Sequence, residues 1–195
     1  MINLKDMSIK DIVAIANFEY NTSGRSPLFI QIEKFLIKQG NIAKIAEFIQ
    51  NVEGAHIKAL EKCITTSAVS LPNIYFELAY YVKGVNIKAL EDRLIKCKDE
   101  IDCIQYLTHI SQFATYIKSS NVNKLLLEII NYPIQDEVSK LNICANIVRR
   151  RKDANVDMLQ RYLDSVKNKH NIKDDNKLQR EIDNINNEVE IYTFK

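Results

Sequence analysis

The sequence predicts an all-α protein built from repeated helical hairpins, and three observations lead to this fold class. The motif Gly54–Glu61 (GAHIKALE) occurs again thirty residues later as Gly84–Glu91 (GVNIKALE). The chain has only 4 Gly and 3 Pro in 195 residues, whereas a β-rich domain needs many turn residues. Apolar residues also recur every three or four positions along most of the chain, as they do on the buried face of a helix.

The first predicted helix covers residues 8–20, with Ser8 as its N-cap, because a serine hydroxyl can accept a hydrogen bond from a free amide of the first turn. Pro27 suits the start of a second helix over 28–39, and Gly40 can end that helix in a left-handed conformation. Further helices that alternate with copies of the motif are predicted over residues 41–52, 72–82, 100–117 and 135–151.

Aligning the chain on the motif gives five copies of one helix. If the glycine is position 0, the copies begin at Ser26, Gly54, Gly84, Ser119 and Asp153. Positions +3, +6 and +10 are apolar in every copy, and this spacing places them on one face of a helix. Position 0 ends the preceding helix, since Gly adopts a positive φ without strain and Ser or Asp can cap amides. Asn at position +2 of three copies is a good N-cap.

The end of the chain departs from this pattern. Residues 170–175 (HNIKDD) interrupt it, and a last helix is predicted over residues 175–192. Its single apolar stripe and polar reverse face are typical of the cap that ends a helical array. The heptad-like spacing of the stripe leaves a dimerising seam as the alternative.

One hairpin of about 30 residues cannot bury its apolar face alone, so the hairpins are expected to stack. The motif G-x-N-I-x-x-L-E, in Gly54–Glu61 and Gly84–Glu91, resembles short helical-hairpin repeats of uncharacterised bacterial and phage proteins. Over residues 26–168 the arrangement is similar to HEAT-like and armadillo-like α-solenoids. The last two copies depart from the motif at Ser119, Asp153, Leu126 and Gln160. The resemblance implies one right-handed α-solenoid domain over residues 1–195, with about five hairpins and a C-terminal cap.

The sequence carries no signature of a catalytic, phosphate-binding or metal site. It has no Gly-rich phosphate loop, no H-E-x-x-H and no cysteines spaced as zinc ligands, so the four cysteines predict reduced structural thiols. The amino terminus lacks a secretory signal, and no window approaches the roughly 18 apolar residues of a membrane span. We therefore expect a cytoplasmic protein that needs no cofactor and takes no small-molecule substrate.

Tyrosines on the second helices of the hairpins are the first candidates for partner binding. Second helices commonly line the inner face of a solenoid, and Tyr is a favoured anchor in protein interfaces. The alternative is that several of these rings belong to the core. The candidate residues are Tyr75, Tyr80, Tyr81, Tyr106 and Tyr116, together with His109 beside Tyr106.

A basic run at the end of the helix over 135–151 is the second candidate, and it consists of Arg149, Arg150, Arg151 and Lys152. Cations at this place suit the negative end of the helix dipole. They could instead form a basic patch for nucleic acid or an acidic protein, because residues 140–180 hold eleven Lys and Arg against five Asp and Glu. The neighbouring cations of such a patch would be Lys140, Arg161, Lys167 and Lys169.

These features predict a non-catalytic module that binds a macromolecule, first of all a protein, as an adaptor or an inhibitor of bacterial or phage origin would. We expect a monomer or a weak dimer. The alternative is a nucleic-acid binder that uses the basic end of the chain. Some HEAT-like solenoids are DNA glycosylases, but their aromatic pockets use tryptophan and this chain has none, so we do not expect an enzyme.

Overall fold

The computed structural model is all-α and describes residues 3–134, 136–170 and the single position 184. These residues contain ten α-helices and two short 3-10 turns, Leu4–Asp6 and Cys97–Asp99, and no strand. The helices are α1 Ile9–Ser23, α2 Pro27–Gln39, α3 Ile42–Asn51, α4 Ile57–Thr66, α5 Pro72–Tyr81, α6 Ile87–Lys96, α7 Cys103–Tyr116, α8 Val122–Asn131, α9 Glu137–Arg150 and α10 Val156–His170. The cap predicted over residues 175–192 lies outside the described residues.

The helices fall into two compact units, Met1–Cys97 and Lys98–Lys195. In the first unit α1 packs on α2, α3 on α4 and α5 on α6, and α3 also lies against both α1 and α5. In the second unit α7 packs on α8 and α9, and α9 packs on α8 and α10. The all-α prediction is confirmed, while the single domain, the number of repeats and the handedness stay predictions.

The apolar stripe of the repeat is buried in both units. The ten residues at positions +6 and +10 are at most 1% exposed, from Ile32 and Leu36 in the first copy to Leu159 and Leu163 in the last. Position +3 is less uniform, since Phe29 is buried and its counterparts range from buried to half-buried. Burial of one Leu or Ile side chain stabilises a fold by about 1.5–3 kcal/mol, so these positions form the scaffold.

Most of the predicted helix caps are also present, although α1 continues to Ser23, three residues beyond its predicted end. Ser8 Oγ accepts a hydrogen bond from the Asp11 amide at 3.2 Å, and Gly40 ends α2 in the left-handed conformation. His56, at position +2 of the second copy, makes no capping hydrogen bond with its side chain. The asparagines at position +2 each accept one from the amide three residues later at 3.1 Å, and they are Asn86, Asn121 and Asn155.

Gly54 is required for two separate reasons. Its φ of +75° lies in the left-handed region that favours glycine, and a Cβ added there would lie 2.0 Å from Cε2 of Tyr20. The Tyr20 ring in turn packs on Phe29, with a centroid distance of 5.8 Å. Gly84 has a φ of +88°, but a Cβ there would meet nothing closer than Ile57 Cδ1 at 3.9 Å. The two glycines of the motif therefore carry different packing constraints.

We expect Gly54→Ala to destabilise the protein more than Gly84→Ala. Both substitutions force an L-residue to a positive φ, which costs about 1–2 kcal/mol. Only Gly54→Ala must also displace the Tyr20 ring, and overpacking of this kind costs about 1–3 kcal/mol more. Urea unfolding of the two variants beside the wild type measures the difference. Equal losses would show that the Tyr20 contact imposes no constraint.

Candidate functional site

A buried glutamate at position +7 joins the first copies of the repeat to the copies that follow them. Glu33 and Glu61 are 5% and 4% exposed. Oε1 of Glu33 accepts a hydrogen bond from the His56 amide at 2.6 Å, and Oε1 of Glu61 accepts one from the Asn86 amide at 2.7 Å. Amides at the start of a helix have no partner within it, and buried amides need one. The last residue of the repeated motif therefore connects successive copies.

The two connecting carboxylates differ in their surroundings. Glu33 is ion-paired with Arg25 in a two-pronged contact, with nitrogen–oxygen distances of 2.6 and 3.2 Å. Burial raises the pKa of Glu61 above its ordinary value, and the hydrogen bond from Asn86 offsets part of that rise. A buried carboxylate favours its neutral form unless nearby cations or donors stabilise the charge.

The fourth copy makes the same connection with a different residue. Position +7 is Leu126 there, which has no acceptor atom. Asn123 replaces the glutamate, because its Oδ1 accepts a hydrogen bond from the Asn155 amide at 2.6 Å and its Nδ2 donates to the Asp153 carbonyl at 3.3 Å. The connection between copies is thus retained where the motif is lost.

Arg151 is a buried connector and does not belong to an exposed basic patch. It is 5% exposed, and its Nη1 donates to the carbonyls of Ala114 at 2.6 Å and Ile117 at 2.8 Å. These carbonyls lie at the C-terminal end of α7, where they have no partner within the helix. The ion pair with Asp153 at 2.8 Å holds the guanidinium in place. The prediction that placed Arg151 on a binding surface is therefore corrected.

Lys140, predicted as a neighbour of the patch, is buried as well. Its Nζ donates to the carbonyls of Ile130 at 2.9 Å and Tyr132 at 3.0 Å, at the C-terminal end of α8. It also pairs with Glu137 at 3.4 Å. Arg93 has the same role in the first unit, where it is 6% exposed and donates to the Ser67 carbonyl at the end of α4.

Glu137 lies in a group of donors beside Lys140. Tyr162 donates its hydroxyl to Oε2 of Glu137, and Nζ of Lys169 lies 3.0 Å from Oε1. Burial alone would raise the pKa of Glu137, but the hydrogen bonds from Tyr162 and Lys169 and the nearby lysine charges hold it below its usual range. Burial is the largest cause that raises the pKa of the Tyr162 hydroxyl, and the hydrogen bond to Glu137 raises it further.

Three members of the basic run, Arg149, Arg150 and Lys152, are exposed. Nη1 of Arg150 donates to the Tyr116 hydroxyl at 3.1 Å, and the guanidinium carbon lies 5.7 Å from the centroid of the ring. The structure thus brings together Arg150 and Tyr116, which the sequence assigned to two separate candidate sites.

Two of the candidate tyrosines lie in the core. Tyr75 and Tyr106 are both 0% exposed, and the Tyr106 ring packs on Tyr132 with a centroid distance of 4.8 Å. Neither ring reaches a surface where a partner could touch it, so the binding role expected for them is not carried further. His109 is partly buried on α7, and burial lowers its pKa, which favours a neutral imidazole.

Two further candidates, Tyr80 and Tyr81, lie on the surface of α5 and are 53% and 70% exposed. Phe76 stacks on Tyr80 with a centroid distance of 5.5 Å, and Tyr80 meets Tyr81 edge-on at 4.9 Å. Sequence reasoning did not include Phe76, although its spacing of four residues from Tyr80 places both rings on one helical face. We call Phe76, Tyr80 and Tyr81 the aromatic surface of α5.

Grooves also lie between successive motif helices within each unit. One of 460 Å³ lies between α4 and α6 and is lined by Lys58, Lys62 and Asn86 among others, while one of 370 Å³ lies between α8 and α10. In the part of the chain that the structure describes, no group of His, Cys, Asp or Glu is placed to hold a metal ion. Within the same ranges no helix has the length and apolar character needed to cross a bilayer.

The raised pKa of Glu61 gives its effect on stability a definite sign. The folded protein binds the Glu61 proton more tightly than the unfolded chain, so this group favours folding less as the pH rises through the raised pKa. We expect Glu61→Gln to become more stable relative to wild type between pH 4 and pH 7. Urea unfolding across that range measures the difference, with Glu53→Gln, at an exposed position, as the control. A difference that does not depend on pH would contradict the assignment.

We expect Arg151→Ala to be far more damaging than Arg150→Ala, although the two residues are adjacent. The first change leaves the buried carbonyl of Ala114 without its donor, at about 1–3 kcal/mol, and it also removes the hydrogen bonds to the carbonyls of Ile117 and Lys118. The second removes one exposed cation–ring contact, which is worth about 0.5–1 kcal/mol. Thermal and urea unfolding of both variants test this. Similar losses would mean that the guanidinium of Arg151 is not a connector.

The site features of the described residues are thus the buried connectors, the aromatic surface of α5 and the exposed basic end of α9. Among known proteins, no family model, no curated protein and no solved structure matches the chain.

Proposed function

We propose that the protein is a non-catalytic α-solenoid module that binds another protein through the aromatic surface of α5. The observation that carries this proposal is the exposure of Tyr80 and Tyr81, two large rings held together with Phe76 on one helix. A ring of this size buries about 150–250 Å² on contact, and tyrosines are enriched among the residues that dominate binding energy in interfaces.

The aromatic surface is held on a fixed base. On the opposite side of α5, Tyr75 and Leu78 are fully buried, and Phe76 and Tyr80 support each other by stacking. Side chains that are already ordered lose less conformational entropy on binding. The α5 rings therefore suit a partner that offers an apolar pocket, with hydrogen-bond acceptors at its edge for the tyrosine hydroxyls.

The α-solenoid arrangement and the number of hairpins are part of the same proposal. Stacking of α1, α3 and α5 in the first unit, and of α7 and α9 in the second, supports an α-solenoid of about five hairpins. The right-handed sense, the cytoplasmic location, the monomeric or weakly dimeric state and the role as an adaptor or inhibitor of bacterial or phage origin stay predictions.

Loss of the aromatic surface should abolish partner binding without loss of the fold. The tagged chain and its Tyr80→Ala/Tyr81→Ala variant are used to capture proteins from cells of the native source, and the affinity for any captured protein is then measured with purified components. Because hot-spot residues contribute about 2 kcal/mol or more each, the double variant should bind at least about 100-fold more weakly.

Ile104→Ala is the matched control, since Ile104 is an apolar side chain that is 74% exposed on α7 in the other unit. This variant should capture the same protein as the wild type, and all variants should keep their helical circular dichroism and melting temperature. A captured protein that binds the double variant as tightly as the wild type would overturn the assignment of the surface.

A further inference from the structure

The outer face of α7 and α9, in the second unit, carries two rows of polar side chains with the same spacing. The row on α7 is Gln105, Thr108, Gln112 and Tyr116, and the row on α9 is Ser139, Asn142, Asn146 and Arg150. Gln112 is half-buried and the others are exposed. Since α7 packs directly against α9, the two rows belong to adjacent helices.

Two contacts with an offset of 34 residues join the C-terminal ends of the helices that carry the rows. Arg150 donates to the Tyr116 hydroxyl at 3.1 Å, and Arg151 donates to the carbonyl of Ile117 at 2.8 Å. Both contacts lie at the C-terminal ends of the two helices, where Tyr116 of one row meets Arg150 of the other.

The charge along this face is strongly uneven. Neither row contains an acidic residue, and α7 contains none at all. The acid of α9, Glu137, is engaged by Tyr162, Lys140 and Lys169. Asp102 and Asp136 lie at the far end, where each caps the first turn of its own helix. At the C-terminal end the face is flanked by exposed cations, which are Lys118, Arg149, Arg150 and Lys152. The exposed acid at this end, Asp153, is paired with Arg151.

The exposed cations are not the groups that satisfy the C-terminal carbonyls of α7. Arg151, held by its ion pair with Asp153, binds the carbonyls of Ala114, Ile117 and Lys118. Arg149 and Arg150 lie in the last turn of α9, where cations suit the helix dipole. Together with Lys118 and Lys152 they are exposed, and the combined charge of these side chains complements a polyanion.

We infer that this face binds single-stranded nucleic acid. The cations at the C-terminal end contact phosphates, the Tyr116 ring stacks on a base, and the amide and hydroxyl side chains of the rows form hydrogen bonds with base edges. Unpaired bases are required, because a surface tyrosine can stack only on an exposed base and a duplex recesses its base edges in the grooves. The inference goes beyond the proposed protein binding and uses a different unit of the chain.

Fluorescence anisotropy of the full-length protein with labelled 12-nucleotide DNA and RNA strands tests the inference, with a 12-base-pair duplex and an acidic peptide as competitors. Single strands should bind most tightly, with a slope of log affinity against log salt of about −2 to −3 for three or four phosphate contacts. Tyr116→Leu should weaken binding about tenfold, whereas Tyr116→Phe, which keeps the ring, should stay within about twofold of wild type.

Charge reversal gives the second arm of the test. Arg149→Glu/Lys152→Glu should abolish binding, while the control Lys34→Glu/Lys38→Glu, an equal change in charge at exposed positions of α2, should leave most of it. Melting temperatures verify that each variant folds. The inference is overturned by failure to bind single strands at low salt, by equal or tighter binding of the duplex or acidic peptide, by unchanged binding in Arg149→Glu/Lys152→Glu, or by equal losses in Tyr116→Phe and Tyr116→Leu.

Discussion

Helix ends that are buried against other helices must find hydrogen-bond partners outside their own helix, and this constraint organises the structure. The first amides and last carbonyls of a helix have no intrahelical partner, and each costs about 1–3 kcal/mol if it is buried without one. Glu33 and Glu61 supply acceptors to amides of the following copy. Lys140 and Arg151 supply donors to the carbonyls at the ends of α8 and α7. Charged side chains thus hold neighbouring helices together.

The same constraint explains why the charge of the sequence is a poor guide to its surface. Residues 140–180 have a clear excess of cations, but Lys140 and Arg151 are buried among carbonyls. Because Arg151 is buried, the exposed charge of the basic run is that of Arg149, Arg150 and Lys152. Within that smaller group Arg150 contacts Tyr116, so an aromatic ring lies beside the exposed cations.

Much of the fold was predictable because helix periodicity is a local property. The spacing of apolar residues in each copy places positions +6 and +10 on one face, and all ten are buried. Ser8, Gly40 and Asn86 act within one turn of their own helix, so their capping roles also follow from neighbouring residues. The binding surfaces were less predictable. Tyr75 and Tyr80 are five residues apart on α5, and only the packing of the neighbouring helices decides that the first is buried and the second exposed.

The sequence by itself determined the all-α class, the helix positions and the scaffold role of the repeated stripe, since these depend on residues within a turn or two of each other. Tertiary structure alone decided what the motif glutamate does. In Glu61 the sequence shows only a repeated acid, and its amide partner lies 25 residues away. Tertiary structure also decided which residues of the basic run face solvent, because the partners of Arg151 belong to another helix. Contacts between residues that are far apart in the chain leave no periodic pattern in the sequence, so the sequence does not predict them.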